Sequence, residues 1–274
     1  MTLSINTNIG SVIAGNQLNK LNNEYGSLQE QATTGKKINR AADDAAGMAI
    51  LMGMKKTFMG NESAMNNITR GKDLLAVQEE AMTTINTMME RLKELAVTSA
   101  DGTMSAADRT KNNTEAQSLM GEMDRIAKAT TYNGIQLLDG SVTSVTLQVG
   151  SGNTVNDQIA VTNYDATLAS MNINGGDIST VVGAQTFLDN LDIDNTTLTS
   201  GLSSIGSTTN RLDYANENLV NMNKSLESSM SSIEDADMAK VSAQLAKNET
   251  LQQLGYSMLA KSNQQPRSYL SLFG

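Results

Sequence analysis

The stretch LTSGLSSIGSTTNRLDYANENLVNMNKSLESSMSSI, Leu198 to Ile233, carries the repeat that decides the fold. Leu198, Ile205, Leu212, Leu219, Leu226 and Ile233 recur every seven residues without a miss. Leu202, Thr209, Asn216, Asn223 and Met230 fall between them, so the steps alternate four and three. This spacing predicts a coiled-coil seam with Leu or Ile at each d position. Asn at an a position weakens such a seam but fixes its register and partner number. Five heptads favour a long packed helix of ~50 Å over an ordinary amphipathic one.

Working outward, a second seam runs Ala64, Ile68, Gly71, Leu75, Gln78, Met82, Ile85, Met89, Leu92 and Ala96. Leu74, Val77, Ala81, Met88 and Leu95 form another apolar line beside it. A face this wide packs against more than one neighbour. A shorter helix follows through Ala116, Leu119, Met120, Met123, Ile126 and Ala127, separated from the second by Gly102 and a capping Ser105 or Asp108. Three such helices predict an antiparallel bundle.

The two ends are thinner. Ala14, Leu18, Leu21, Tyr25, Leu28 and Ala32 form one seam, after a phase shift at Ile5, Ile9, Val12 and Ile13. Met238, Val241, Leu245, Leu251, Leu254 and Met258 form the matching one. Neither has enough apolar positions to offset the entropy of ordering a lone helix, so each needs the other end or further copies of the chain.

The middle differs in kind. No Lys or Arg occurs from Ala129 to Asn210, and Ser141 to Ser200 carries only six charges, all Asp. Strand alternation flanks a Gly-Asn turn region and predicts a β-hairpin of Val142–Val149 with Gln158–Val161. A Ser/Thr/Asn/Gly-rich insert follows, with Leu168, Met171, Val181, Phe187, Leu188 and Leu191 as apolar anchors. The fold class is therefore mainly α: a long antiparallel helical bundle or coiled coil built from both chain ends, with a small β-hairpin and a short variable insert. Three regions are expected: 1–45 with 236–274, 46–140 with 190–235, and 141–189.

Composition excludes several functions. A net charge of −9 opposes bulk attraction to nucleic acid or anionic membrane. There is no Cys for disulfide or thiol chemistry, and no His to serve as general base or zinc ligand. No glycine loop is followed by Lys-Ser or Lys-Thr. Asp192-Ile193-Asp194-Asn195 begins like a calcium loop but lacks the following Gly and the closing Glu. The 17 Met residues read as adaptable core filler. No cofactor, metal or enzymatic role is expected. The longest apolar runs, such as Met48 to Met54, are far short of the ~20 residues a bilayer needs. MTLSINTNIG has neither a basic cluster nor an apolar core, so it does not read as a cleavable signal peptide, and export would use another route.

Several ordered motifs together carry a family resemblance. INTNIGSVIAGNQL, TTGKKINRAADDAAGMAI, ERLKELAVTSADGTMSAADR and ATTYNGIQLLDG lie in the first half. RLDYANENLVN, SSIEDADMAK and NQQPRSYLSLFG lie at the other end. Over residues 1–140 and about 200–274 the chain resembles bacterial flagellin. The resemblance implies a helical homopolymer, the flagellar filament, exported unfolded and assembled at its tip outside the cell. It implies an inner tube from 1–45 and 236–274, an outer tube from 46–140 and 190–235, and the remaining insert. It also implies partners: an export chaperone, a cap protein and the hook-associated junction protein. Two other classes remain beside it, a hook–filament junction protein and a soluble coiled-coil scaffold.

Within this frame the polar stretch Thr33 to Ile50 reads as the connector between the two tubes. Gly35 suits a left-handed helix C-terminus, and Asp43 or Asp44 a cap for the next helix. Lys36, Lys37, Arg40, Asp43 and Asp44 are expected to pair between neighbouring subunits, where exposed pairs worth ~0–1 kcal/mol each would set register more than stability. The alternative is a solvated linker. The resemblance also implies recognition by Toll-like receptor 5 through Arg91, Leu92, Glu94 and Leu95, with Glu115 on the next helix, on a face whose primary role is subunit packing. Lys93 and Thr98 depart from the family's usual Arg and Gln there, and Lys does not replace an Arg fork freely.

Overall fold

The computed structural model describes residues 7–270, with side chains up to 264. Ile5 and the ends of the two terminal segments lie outside the described residues. The chain forms helices α1 (Ile9–Thr34), α2 (Ala45–Ala100), α3 (Ala106–Ala129), α4 (Val181–Glu234) and α5 (Met238–Leu270). Between α3 and α4 lie strands β1 (Thr131–Tyr132), β2 (Ile135–Gln136), β3 (Ser144–Gln148) and β4 (Gln158–Thr162). The mainly helical class, built from both chain ends with a small hairpin, is what the seams predict. Contacts divide the chain into two compact units, residues 1–56 with 224–274, and residues 57–223.

The larger unit has one continuous apolar core. Ile68, Leu75, Met82, Ile85, Met89 and Leu92 of α2 join Ala116, Met120 and Met123 of α3 and Leu198, Ile205, Leu212 and Leu219 of α4. The wide face of α2 does meet two neighbours: Arg91 bonds Glu115 on α3, while Lys72 and Lys93 bond Asp213 and Asp192 on α4. Ser105, rather than Asp108, caps α3 by accepting from the Asp108 backbone N–H at 3.2 Å.

Helix α4 corrects the reading of the insert. It begins at Val181, so Phe187, Leu188 and Leu191 are helical residues and not anchors of an irregular segment. Ala184, Phe187, Leu191, Asp194 and Leu198 are all buried and continue the alternating spacing toward the N-terminus. An aspartate at one of these inward positions breaks the apolar pattern in the sequence. The structure satisfies it: Asp194 accepts from Asn172 N at 3.0 Å, Asn172 Nδ2 at 2.7 Å and Ile173 N at 3.0 Å. The buried carboxylate thereby holds the 172–176 turn against the helix.

The expected hairpin forms two residues shorter at its start, with β3 and β4 antiparallel and Ser144 opposite Thr162. A second hairpin, β1 with β2, was not anticipated. Its turn is Asn133-Gly134 with φ 48° and 79°, the positive values that a two-residue hairpin turn needs and that Asn-Gly supplies.

The smaller unit pairs α1 with α5. Its apolar burial is thin: Leu18 and Leu21 on α1, Val241 on α5, Ile38 in the connector and Leu51 near the start of α2. Ile9, Val12, Ile13, Leu254, Tyr256 and Met258 remain exposed. Among the described residues, no helix is long and apolar enough to cross a membrane.

Candidate functional site

The polar connector is folded rather than free. Gly35 ends α1 with φ 72° and ψ 5°, its N–H donating to Gln31 O at 2.9 Å. That left-handed conformation costs a residue with Cβ but not glycine. The chain then runs antiparallel to the α4–α5 junction. Lys36 bridges Asp235. Lys37 N donates to Glu234 O at 2.6 Å, and Ala236 N to Gly35 O at 2.9 Å. The Lys36 ammonium makes a short ion pair with the Glu234 carboxylate.

The two aspartates divide the work expected of either. Asp44 caps α2, accepting from Gly47 N at 2.9 Å. Asp43 closes the preceding turn, accepting from Arg40 N at 2.9 Å and Asn39 N at 3.0 Å. Those N–H bonds, from Arg40 first and then Asn39, hold the Asp43 carboxyl below its usual range. Arg40 pairs with Glu30 of α1 at 3.0 Å. Within the chain, Lys36 and Arg40 have ion-pair partners, and Asp43 and Asp44 accept from backbone N–H groups. Lys37 contributes backbone groups and leaves its side chain exposed. Glu30, Glu234 and Asp235 escaped the sequence reading, because no local signal links residues 36 and 235.

The second predicted patch lies on α2 and α3. Arg91 Nη2 and Nε donate to Glu115 Oε1 at 2.8 and 3.1 Å, and Nη1 to Glu94 Oε2 at 2.8 Å. Glu94, then Glu115, stabilise the guanidinium and raise its pKa from the ordinary value. Leu92 and Leu95 do not join this face. Both are buried in the core, so they support the patch from beneath and are not available for contact in the folded chain. The exposed surface beside Arg91 is instead a shallow groove lined by Glu90, Lys93, Glu94, Val97 and Thr98. Lys93 reaches Asp192 at 2.7 Å, which the sequence could not reveal across that separation. Thr98 Oγ1 donates to Glu94 O at 2.8 Å and so turns back onto its own helix.

The family model of the bacterial flagellin N-terminal helical region matches residues 5–143, and that of the C-terminal helical region matches residues 188–273. The chain belongs to the bacterial flagellin family. It is similar to a flagellin of Listeria innocua, with 33% identity over 284 residues covering 98% of this chain and 99% of that one. Among solved structures it is similar to Bacillus cereus flagellin, at 25% identity and a TM-score of 0.50, covering 56% of this chain and 88% of that one. A putative flagellar hook-associated protein from Vibrio parahaemolyticus gives a TM-score of 0.59 over 70% of this chain and 100% of that one. Its 14% identity shows a shared fold alone.

This flagellin is a structural subunit of the flagellar filament, and self-assembly is its function. The matched regions contain the connector, the α4–α5 junction and the Arg91 patch. Residues 144–187, with both strands of the larger hairpin and the start of α4, fall outside both.

Proposed function

We propose that the chain is exported unfolded, travels to the filament tip outside the cell, and orders its two ends only on joining the polymer. The observation that carries this is the bare face of the terminal pair. Ile9, Val12 and Ile13 of α1 and Leu254, Tyr256 and Met258 of α5 are large apolar side chains with little cover. Further copies of the chain would bury them. In this reading 1–45 and 236–274 line the inner tube, 46–140 and 190–235 form the outer tube, and 141–189 is the insert. Contacts that do not close on themselves grow a helical filament, and bistable packing between subunits lets that filament change supercoil.

An export chaperone would cover the same apolar ends before assembly, and the cap protein and hook-associated junction protein would meet the filament at its two limits. The Arg91–Glu94–Glu115 face is proposed for subunit packing, with Toll-like receptor 5 as a second partner. The chain carries out no enzymatic reaction in this account.

Limited proteolysis of the monomer, followed by seeding with short filament fragments, tests the reading. Cleavage within 1–34 and 238–274 in the monomer, and protection of both in the filament, is the expected result. Ends that resist protease in the monomer would overturn it.

A further inference from the structure

The thin α1–α5 pair has a problem of specificity. A seam of this kind can slide by one heptad, ~10 Å along the axis, and still match apolar side chains. The hydrogen bonds along the pair are part-buried or exposed. Asn8 Nδ2 donates to Ser262 O at 2.8 Å, Gln252 Nε2 to Asn22 Oδ1 at 3.1 Å, and Tyr25 Oη to Glu249 Oε1 at 3.3 Å. Two steric marks exist among the described residues: a Cβ at Gly255 would lie 2.7 Å from Leu18 Cδ2, and one at Gly10 would lie 2.8 Å from Ser262 Oγ. Exposed polar pairs contribute little each and do not by themselves exclude a slip.

We propose that the bridge between 35–37 and 234–236 is a register lock for the terminal helices, with Glu234 and Asp235 as its unrecognised half. The lock stands at the ends of both helices: one residue separates α1 from Lys36, and two separate Asp235 from α5. Those short links are themselves pinned. Gly35 N–H is held by Gln31 O, and Asp237 caps α5 by accepting from Ala239 N and Lys240 N at 3.0 and 3.1 Å. A slip by one heptad would have to break both backbone bonds and the Lys36–Glu234 pair together. Register matters to the filament because it sets how the exposed apolar residues of α1 and those of α5 are placed along the pair. Moving α1 by ~10 Å along α5 would offset Ile9, Val12 and Ile13 relative to Leu254, Tyr256 and Met258 and present a different surface to the next copy.

The absence of native Cys makes the register directly readable. Asn22→Cys with Gln252→Cys reports the observed register, and Asn22→Cys with Leu245→Cys or Leu259→Cys reports a slip of one heptad either way. Filaments of each pair are oxidised and dissociated, and the intrachain product is measured. The lock is broken in two ways: Ala236→Pro removes the donor to Gly35 O, and Lys36→Glu turns the ion pair into a repulsion. Ala236→Pro should lower the observed-register product and give a shifted one. Lys36→Glu should do the same more weakly, by about threefold, the range of an exposed pair. Lys36→Glu with Glu234→Lys should restore the original pattern. An unchanged crosslink pattern in both broken variants overturns the proposal. So does loss of filaments without any shifted product, because the bridge would then serve folding and not register.

Discussion

Leu147 on β3 lies over Gly71 on α2 so closely that a Cβ at position 71 would sit 2.2 Å from its Cδ1. The larger hairpin is thus seated on the helix through a gap that glycine leaves. Glycine inside a helix costs about 1 kcal/mol relative to alanine, so Gly71→Ala would be stabilising on propensity alone. Overpacking costs about 1–3 kcal/mol and should win. A lower urea midpoint is expected, with part of the loss recovered by adding Leu147→Val. A midpoint that rises would show that Leu147 moves aside freely.

Asp194 should be the most sensitive polar residue of the larger unit. Its carboxylate is buried and accepts three hydrogen bonds from residues 172 and 173. Asp194→Asn turns one acceptor into a donor facing an N–H, leaving buried groups unpaired at a cost of about 2–4 kcal/mol. Amide exchange at Ile173 should quicken and Tm should fall. Equal exchange in the two proteins would mean the turn is held by packing alone.

Tyr164 gives an alkaline prediction. Burial first, then the charges of Asp194 and Asp165, push its phenol up to about 12 from 10.0. The folded state therefore holds this proton more tightly than the unfolded chain. Its contribution to stability is complete below pH 10 and is lost as pH rises through about 12. Absorbance titration should show a late-ionising phenolate that Tyr164→Phe removes, and the variant should lose stability less steeply over this range. An unaltered titration curve would refute the assignment.

Arg91 and Leu92 are neighbours in sequence with opposite consequences. Leu92→Ala empties a buried site and should cost about 2–5 kcal/mol. Arg91→Ala removes exposed, solvent-screened pairs and should leave Tm nearly unchanged. Denaturation separates the two directly. Assembly rate and receptor activation should respond to Arg91→Ala at unchanged Tm, and a Tm loss equal to that of Leu92→Ala would show that Arg91 is structural.

The sequence by itself determined the helical class, the seams and much of the connector's local chemistry. The heptads from Leu198 name buried residues because burial on a helix is periodic, and Gly35 and the Asp43–Asp44 pair mark a helix end and a cap through short-range bonding. The same local logic would have found the Asn133-Gly134 turn. It hid the start of α4, where Asp194 occupies an inward position and breaks the apolar pattern. Tertiary structure alone decided what Asp194 bonds, that Arg91 reaches Glu115 and Lys93 reaches Asp192, and that the Lys36 ammonium meets Glu234. Those outcomes join residues far apart in sequence. A hydrogen bond or ion pair needs its partner within a few ångströms, and only the folded chain sets which distant residues come that near.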